Sequence, residues 1–360
     1  MQKKVMIYAY TNFNLGDDLF IKILCERYPK INFVLFAPKE YKYTFENFDN
    51  ISIYPSNNYF LKLLRYGLKK IKYDFSPQAK IAKKCDAIVQ IGGSIFIQRN
   101  DWNGMPKHKT LTENPYFVLG ANFGPFQDQQ FYYEHYKLFK QYKDVCLRDN
   151  YSYELFKDLK NVRKADDIVF QLNKNNTIAL SNSLVISVIK PSYRECLNGY
   201  DESYYKKIKD ITIYYINKGY TVTLMAFCVK EGDKEAIDEI LKLIPNNLLK
   251  HVNSFLYQYN ITEALNIIAS STLIVATRFH AMILGWVYNK PVFPIAYSKK
   301  MNNVMNDVSY SGSYTNLKEI DILQPEYVYK SMQTNLVDVS VQAKNATNHF
   351  KKLDEYLLND

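Results

Sequence analysis

Short apolar runs alternate along this chain with longer segments of helical periodicity. Residues 5–10 form an apolar run with polar flanks and predict a buried strand, and residues 19–27 predict the helix that follows it. Residues 12–16 predict a turn between the two, with Asp17 or Asp18 as the helix cap. Further strands are predicted at 31–36, 86–91, 116–119 and 145–147. This alternation indicates a parallel sheet wrapped by helices.

The same alternation begins again after residues 173–182, a polar stretch that we interpret as a linker. Strands are predicted there at 184–189, 220–227, 272–276 and 291–296, and helices at 202–218, 233–243, 261–270 and 279–288. The chain is therefore expected to form one α/β domain over 1–175 and a second over 183–336, with a helical tail, 337–360, packed back on the first. Two Rossmann-like domains with parallel sheets and an active-site cleft between them are typical of the GT-B class of transferases.

Composition narrows the classes of protein that fit this pattern. The 360 residues are 47% hydrophobic and 23% charged, which is typical of globular domains. Lys and Arg number 46 against 36 Asp and Glu, a net charge of +10 that suits phosphates, carboxylates, nucleic acid or an anionic membrane. The excess is diffuse, without an aromatic-interleaved basic repeat, so no nucleic-acid partner is expected.

The five cysteines are scattered and form no CxxC pair. This spacing argues for reduced thiols and against a zinc site, so no metal is expected. The first apolar run is too short for a secretion signal, and no stretch approaches the roughly 20 apolar residues of a membrane span. These observations predict a cytoplasmic protein.

The segment with the most chemical information lies where the strand 272–276 meets the next helix. Ligands of doubly wound sheets bind beyond the carboxyl ends of strands, and helix N-termini attract anions. Arg278 offers a planar fork for a carboxylate or phosphate there, and His280 can deliver a proton beside that anion. The alternative is a surface ion pair and a helix-start histidine. Tyr297 and Lys300 follow the strand 291–296 and are expected near the same rim, or on the solvated surface.

Other strand ends also carry polar residues or glycine. Asp17 and Asp18 follow the first strand, where a carboxylate could cap the helix or accept a proton from a sugar hydroxyl. Gly92, Gly93 and Ser94 follow the strand 86–91 and permit close approach of the backbone to a ligand. Their spacing matches neither a dinucleotide fingerprint nor a Walker loop.

Arg148 follows the strand 145–147, where either a ligand-binding or a structural role is consistent with the sequence. Residues 58–73 place apolar side chains on one helical face and Lys and Arg on the other. That pattern is typical of a helix lying on an anionic membrane and equally of an ordinary surface helix.

Seven segments, in chain order, carry a resemblance to a known family: NLGDD at 14–18, DAIVQIGGSIF at 86–96, LGANFGPF at 119–126, LRDNYSYEL at 147–155, ADDIVF at 165–170, TLIVATRFHAMI at 272–283 and PVFPIAYSKK at 291–300. With these, the chain resembles the polysaccharide pyruvyl transferases over about residues 5–305. The RFHA segment and the stretch behind it are the most specific part of the match.

The resemblance implies a GT-B-like fold, no required metal or cofactor, and phosphoenolpyruvate as the donor co-substrate. It implies that Arg278 and Arg148 clamp the donor carboxylate and phosphate, that Lys300 adds a phosphate contact, and that His280 is the general acid. The expected general base is Asp17, in an acceptor-side first domain, and the second domain is the donor side. Acceptor-binding or supporting roles are expected for Asp18, Gly92, Gly93, Ser94, Asn122 and Tyr297.

The expected reaction forms a cyclic pyruvate ketal on two hydroxyls of a hexose, with release of phosphate. The expected acceptor is a hexose-containing glycan, which a lipid diphosphate would carry at the inner face of the membrane. Two alternatives are a GT-B glycosyltransferase that uses a nucleotide sugar and an inert glycan-binding assembly subunit.

Overall fold

The computed structural model describes residues 2–58, 76–104, 113–174, 180 and 182–358. The chain divides into two compact units: the first is Met1–Thr11, Leu19–Gln171 and Ala343–Asp360, and the second is Asn12–Asp18 and Leu172–Gln342. The short segment Asn12–Asp18 thus differs from the predicted division, which placed it in a first domain of residues 1–175. The physical reason is a backbone hydrogen bond of 3.0 Å from the Leu15 N–H to the Phe227 carbonyl of the second unit.

The first unit is built on a seven-stranded sheet whose neighbouring strands are all parallel. Its strands are β1 (Lys4–Tyr8), β2 (Asn32–Ala37), β3 (Ile51–Pro55), β4 (Ala87–Ile91), β5 (Tyr116–Ala121), β6 (Asp144–Leu147) and β7 (Val162–Lys164). They lie in the order β3-β2-β1-β4-β5-β6-β7. Every residue of β5 and β6 is buried, as expected for central parallel strands covered on both faces.

Helices follow the strands of the first unit in the chain. They are α1 (Leu15–Arg27), α2 (Tyr41–Thr44), α3 (Pro77–Ala82), α4 (Gln129–Phe139) and α5 (Asn150–Phe156). Phe139 of α4 and Phe156 of α5 pack with Val118 and Val145 of the sheet in one buried cluster. Each such fully buried side chain contributes about 1.5–3 kcal/mol through removal of apolar surface from water.

Helix α1 begins earlier than its sequence predicts. The predicted turn at 12–16 holds only for residues 12–14, and the predicted cap at Asp17 or Asp18 is wrong, because the helix already starts at Leu15. Asn14 is the capping residue, since its Oδ1 accepts a 3.0 Å hydrogen bond from the Gly16 N–H. Both aspartates therefore lie inside the first turn.

The second unit repeats the architecture with a six-stranded parallel sheet. Its strands are β8 (Ser183–Val188), β9 (Thr221–Ala226), β10 (Val252–Leu256), β11 (Leu273–Ala276), β12 (Val292–Ala296) and β13 (Thr315–Asn316). Its helices are α6 (Asp201–Asn217), α7 (Asp233–Leu243), α8 (Ile261–Ser270), α9 (Phe279–Val287), α10 (Lys299–Asp307) and α11 (Pro325–Ser331). The strand order is β10-β9-β8-β11-β12-β13. The α/β fold class with two parallel sheets is confirmed.

The C-terminal segment contains α12 (Ser340–Ala346), a 3-10 turn at Thr347–Phe350 and α13 (Lys351–Leu357). From Ala343 onward it belongs to the first unit. Nε2 of the buried His349 lies 2.8 Å from the Asp166 carbonyl oxygen, and Asp354 pairs with Arg27. These contacts tie the end of the chain to the first unit.

Each sheet reverses its strand order at one point, between β1 and β4 in the first unit and between β8 and β11 in the second. Ligands of doubly wound folds bind beyond the carboxyl ends of the strands at such points. The residues that follow β4 and β11 include Gly93 and Arg278, so the topology places predicted site residues at both reversals.

The structure bears on one of the two expectations about membranes, the one concerning a membrane-spanning helix. Apart from Asn58, the segment 58–73 lies outside the described residues. Among the helices that the structure describes, none combines the length and the apolar character needed to cross a bilayer.

Candidate functional site

In the second unit, Arg278 stands between β11 and α9, where the backbone is held by β8. The Ser187 hydroxyl of β8 accepts hydrogen bonds from the N–H groups of Thr277 at 3.0 Å and Arg278 at 3.1 Å. Ser187 is completely buried. This contact fixes the turn that leads from the strand into the helix, and with it the start of the Arg278 side chain.

The guanidinium of Arg278 is buried between two carboxylates that follow β9, Glu231 of a 3-10 turn and Asp233 at the start of α7. Its Nε donates to Asp233 at 3.0 Å, Nη2 donates to the same carboxylate, and Nη1 donates to Glu231. Burial alone would lower the pKa of Arg278, but these carboxylates raise it well above its ordinary value. The arginine is therefore permanently charged.

The open fork predicted for Arg278 is not what the structure contains, because three of its nitrogens already bond carboxylates. A cation this deeply buried, with 5% of its surface exposed, needs anionic partners within the protein. The contact of Arg278 with a donor co-substrate stays a prediction.

A second group of cations surrounds Tyr297, which follows β12. The Arg194 guanidinium carbon lies 4.6 Å from the centre of the Tyr297 ring, and Nζ of Lys300 lies 6.0 Å from it. Nη2 of Arg194 also donates to Glu231 at 3.2 Å. Arg194, Lys300 and Arg278 thus oppose the two carboxylates Glu231 and Asp233.

Positive charge shifts the ionisation of two members of this cluster, whereas burial raises the pKa of a third, Asp233. Burial alone would raise the pKa of Tyr297, but Lys300, Arg194 and Arg278 lower it below its ordinary value. Burial would likewise raise the pKa of Glu231, and Arg278 lowers it instead. The site is therefore suited to a negatively charged group.

Arg194, Glu231 and Asp233 were not among the site residues predicted from the sequence. Arg194 lies between the 3-10 turns Pro191–Tyr193 and Glu195–Leu197, beyond the carboxyl end of β8. That position after a predicted strand was the available signal. No local pattern marked the two carboxylates.

His280 lies in the first turn of α9 and is partly exposed. Its imidazole packs against Gly16, where a Cβ atom would lie 1.8 Å from Nδ1. The Phe279 ring contacts both His280 and the cationic cluster, because its centroid lies 5.0 Å from that of the imidazole and 5.4 Å from Nζ of Lys300. Phe279 is thus a shared neighbour of the imidazole and of Lys300.

The adjacent aspartates of α1 have different surroundings. Asp18 is completely buried and its Oδ2 accepts a 2.7 Å hydrogen bond from the Tyr257 hydroxyl. Asp17 is only partly buried. The supporting role of Asp18 stays a prediction, and Asp17 is the carboxylate that solvent can reach.

The first unit gathers its predicted residues at the ends of β4, β5 and β6. The Asn122 N–H donates to the Gly93 carbonyl at 2.9 Å, and the Ser94 hydroxyl donates to Asn122 Oδ1 at 3.1 Å. Gly92 has a φ of 143°, in the region that favours glycine. A Cβ at Gly93 would lie 2.4 Å from Nη1 of Arg148, so the guanidinium rests on that glycine.

Arg148 is also buried and bonded. Nη1 donates to Asp167 at 2.8 Å and Nη2 donates to Asn122 at 2.6 Å, and 5% of the residue is exposed. The structural alternative that the sequence left open for Arg148 therefore has direct geometric support. Its role as a donor clamp stays a prediction.

Comparisons with known proteins agree with the fold. A UDP-GlcNAc 2-epimerase from Methanocaldococcus jannaschii has a TM-score of 0.59 at 10% identity, covering 98% of this chain and 99% of the other. HepE from Anabaena, solved with UDP and glucose, has a TM-score of 0.56 at 12% identity over 100% of both chains. These likenesses establish a GT-B-like fold.

Sequence comparison identifies the family. AmsJ of Erwinia amylovora, an amylovoran biosynthesis protein, is 21% identical over 252 residues, which are 63% of this chain and 60% of AmsJ. The matched part of the chain therefore spans less than two thirds of that relative's length. The family model for polysaccharide pyruvyl transferases matches residues 14–299, from the capping Asn14 to the start of α10. By this match, which confirms the resemblance seen in the sequence, the chain belongs to the polysaccharide pyruvyl transferase family.

Proposed function

We propose that this protein transfers the enolpyruvyl group of phosphoenolpyruvate onto two hydroxyls of a hexose in a lipid-linked polysaccharide precursor. The observation that supports this best is the cluster of Arg194, Arg278 and Lys300 around Tyr297, with the His280 imidazole beside it. Phosphoenolpyruvate carries two anionic groups on a three-carbon skeleton and must be protonated on carbon. Such a co-substrate therefore requires positive charge to bind its anionic groups and a neighbouring group that can supply a proton.

In the proposed reaction, His280 donates a proton to the methylene carbon of phosphoenolpyruvate. C2 then gains oxocarbenium character, and the first sugar hydroxyl attacks it while Asp17 accepts the hydroxyl proton. The C2–O bond to phosphate breaks, and the second hydroxyl attacks C2 and closes the ketal. One hydroxyl proton replaces the proton that His280 supplied and the other leaves with phosphate, so the reaction balances.

Arg278 has a distinct part in this proposal. Because Asp233 and Glu231 hold its guanidinium in place, it contributes a fixed positive field at the end of β11. A preorganised charge of this kind stabilises negative charge without reorganisation during the reaction. We further propose that Arg148 holds the Gly92–Ser94 turn, since its nitrogens bond Asp167 and Asn122.

The experiment is phosphate release from phosphoenolpyruvate with a panel of free and lipid-linked glycosides, together with mass analysis of the product. An acceptor-dependent release with a matching ketal product is expected. The H280A variant should lose about 10²–10⁴-fold in rate, the usual contribution of an acid–base group. His251 is exposed in the second unit, and H251A is the matched control.

Two results would overturn this proposal. If no glycoside in the panel supports phosphate release, while a nucleotide sugar supports transfer, the protein is a glycosyltransferase. If H280A turns over like the wild type and H251A, the assignment of His280 is wrong even where the reaction is found.

A further inference from the structure

The charged guanidinium of Arg194, in the second unit, has hydrogen-bond partners within the described ranges for only some of its donors. Its Nη2 reaches Glu231 at 3.2 Å, a long hydrogen bond to a carboxylate that also accepts from Arg278. Its Nη1 is buried and has no hydrogen-bond partner among the residues that the structure describes. A buried donor on a charged group is costly to leave unpaired, so this position fits an anion.

The surroundings hold Arg194 in place. Its guanidinium carbon lies 4.6 Å from the centre of the Tyr297 ring, within the range of a cation–π contact. One side of the group is thus fixed by Glu231 and one face by Tyr297. A preorganised arginine of this kind loses little freedom when it binds an anion.

A second donor follows Tyr297 directly in the chain. Ser298 precedes α10, yet its side chain makes no capping bond, and its buried Oγ has no hydrogen-bond partner in the described part of the chain. Lys300, two residues further on, adds positive charge beside the same ring. A phosphate offers three acceptor oxygens, which suits these three separate donors better than a carboxylate does.

We propose that Arg194, through Nη1, binds the phosphate group of phosphoenolpyruvate, with Ser298 as the second donor. This inference rests on the proposed function and adds a donor-binding residue to it. Arg278, whose nitrogens bond Asp233 and Glu231, then contributes a fixed positive charge. The phosphate that leaves after C2 is attacked remains on the same donors, so inorganic phosphate should bind there as the product.

The test measures binding of inorganic phosphate and of phosphoenolpyruvate by calorimetry on the full chain, and KM and kcat with an active acceptor. R194Q should weaken both ligands about 10- to 100-fold, as expected for a lost hydrogen bond to a charged group. Its main kinetic effect should be on the KM for phosphoenolpyruvate. S298A should weaken binding about 3- to 10-fold.

Controls separate this inference from the proposed function. Arg99 is 81% exposed in its pair with Asp101, so R99Q should bind both ligands like the wild type. H280A should keep phosphoenolpyruvate binding while losing turnover. Should R194Q misfold, R194K and S298A still test the inference. R194K keeps a charged side chain at the site, and S298A removes only a hydroxyl.

The binding and kinetic results distinguish failure of the anion site from failure of the proposed function. If R194Q and S298A bind phosphate and phosphoenolpyruvate as the wild type does, the inference is wrong and the proposed function stands on its own assay. If the wild type binds phosphate in an Arg194-dependent way but transfers pyruvate to no acceptor, the anion site is real and the proposed reaction is wrong. Binding of neither ligand by the wild type overturns both.

Discussion

Gly16 and His280 are in direct contact, since a Cβ atom at position 16 would lie 1.8 Å from Nδ1 of the imidazole and 2.5 Å from Cγ. The ring occupies the space that any side chain at position 16 would need. These residues are separated by more than two thirds of the chain, and each lies in the first turn of its own helix. The glycine of the NLGDD segment therefore has a steric role in placing the imidazole.

Replacement of Gly16 by alanine should displace His280. Helix propensity alone would make this change stabilising by about 1 kcal/mol, because alanine is the better helix former. The added methyl group instead forces the imidazole to move, and misplacement of about 1 Å can cost about 10²-fold in rate. We therefore expect a loss of about 10²-fold in acceptor-dependent phosphate release by G16A.

The double variant G16A/H280A is the control for this prediction. With the ring removed, the three atoms nearest to the added methyl group are gone, so the thermal midpoint of the double variant should equal or exceed that of H280A alone. The two substitutions should then be non-additive, as expected for residues in contact. Normal turnover by G16A would contradict the steric role.

Substitution of Asp17 should affect turnover, whereas loss of the hydrogen bond from Tyr257 to Asp18 should affect stability. D17N is expected to reduce turnover by about 10²-fold or more, if Asp17 accepts the hydroxyl proton, while the thermal midpoint stays near that of the wild type. Y257F removes the donor to the buried Asp18 and should lower the free energy of unfolding by about 1–3 kcal/mol. Steady-state kinetics and urea unfolding of both variants make the comparison, and full activity of D17N would exclude Asp17 as the base.

Arg148 is expected to behave as a structural residue. R148M leaves Asp167, which is 1% exposed, without its cation and should lower the free energy of unfolding by about 3–5 kcal/mol. The double variant R148M/D167L should recover part of that loss, because no buried charge remains. R99M breaks an exposed pair and should cost less than about 1 kcal/mol. An R148M protein with unchanged urea unfolding and a raised KM for phosphoenolpyruvate would favour the donor clamp instead.

His349 should make folding sensitive to acid. Burial, followed by the charge of Arg163, lowers the pKa of His349 from 6.5 to about 3. Below pH 6.5 the unfolded chain takes up a proton that the folded chain does not, so stability falls as the pH drops from 6.5 towards 3. The slope from this residue is at most about 1.4 kcal/mol per pH unit.

Urea unfolding at several pH values between 7 and about 4.5 tests this prediction. The H349Q variant lacks the titrating group and should lose less stability on acidification than the wild type, although its stability at pH 7 is expected to be lower. H251Q changes an exposed histidine and should follow the wild-type slope. Parallel slopes for the wild type and H349Q would show that the buried imidazole does not control the acid response.

Elements with strong local patterns could be predicted, and weak ones could not. Helix α8 was predicted at its observed bounds, where apolar positions recur at helical spacing, and the structure shows Asn260 as its cap. Strand β3 was missed because it is largely exposed and ends in Pro55. Helix α4 was missed because its Phe and Tyr residues favour strands when judged locally, and only burial on the core of the first unit decides their state.

The sequence by itself determined the alternation of strands and helices, the two parallel sheets, and the presence of Arg278, His280 and Arg148 at strand ends. Those features depend on the spacing of apolar residues and on local turns, which are written in consecutive positions. Tertiary structure alone decided that Glu231 and Asp233 occupy the Arg278 fork, that Gly16 makes room for His280, and that Arg194 stacks on Tyr297. Such pairings depend on which strand ends become neighbours in the sheet, and the free energy of burying a charge acts only after that arrangement exists.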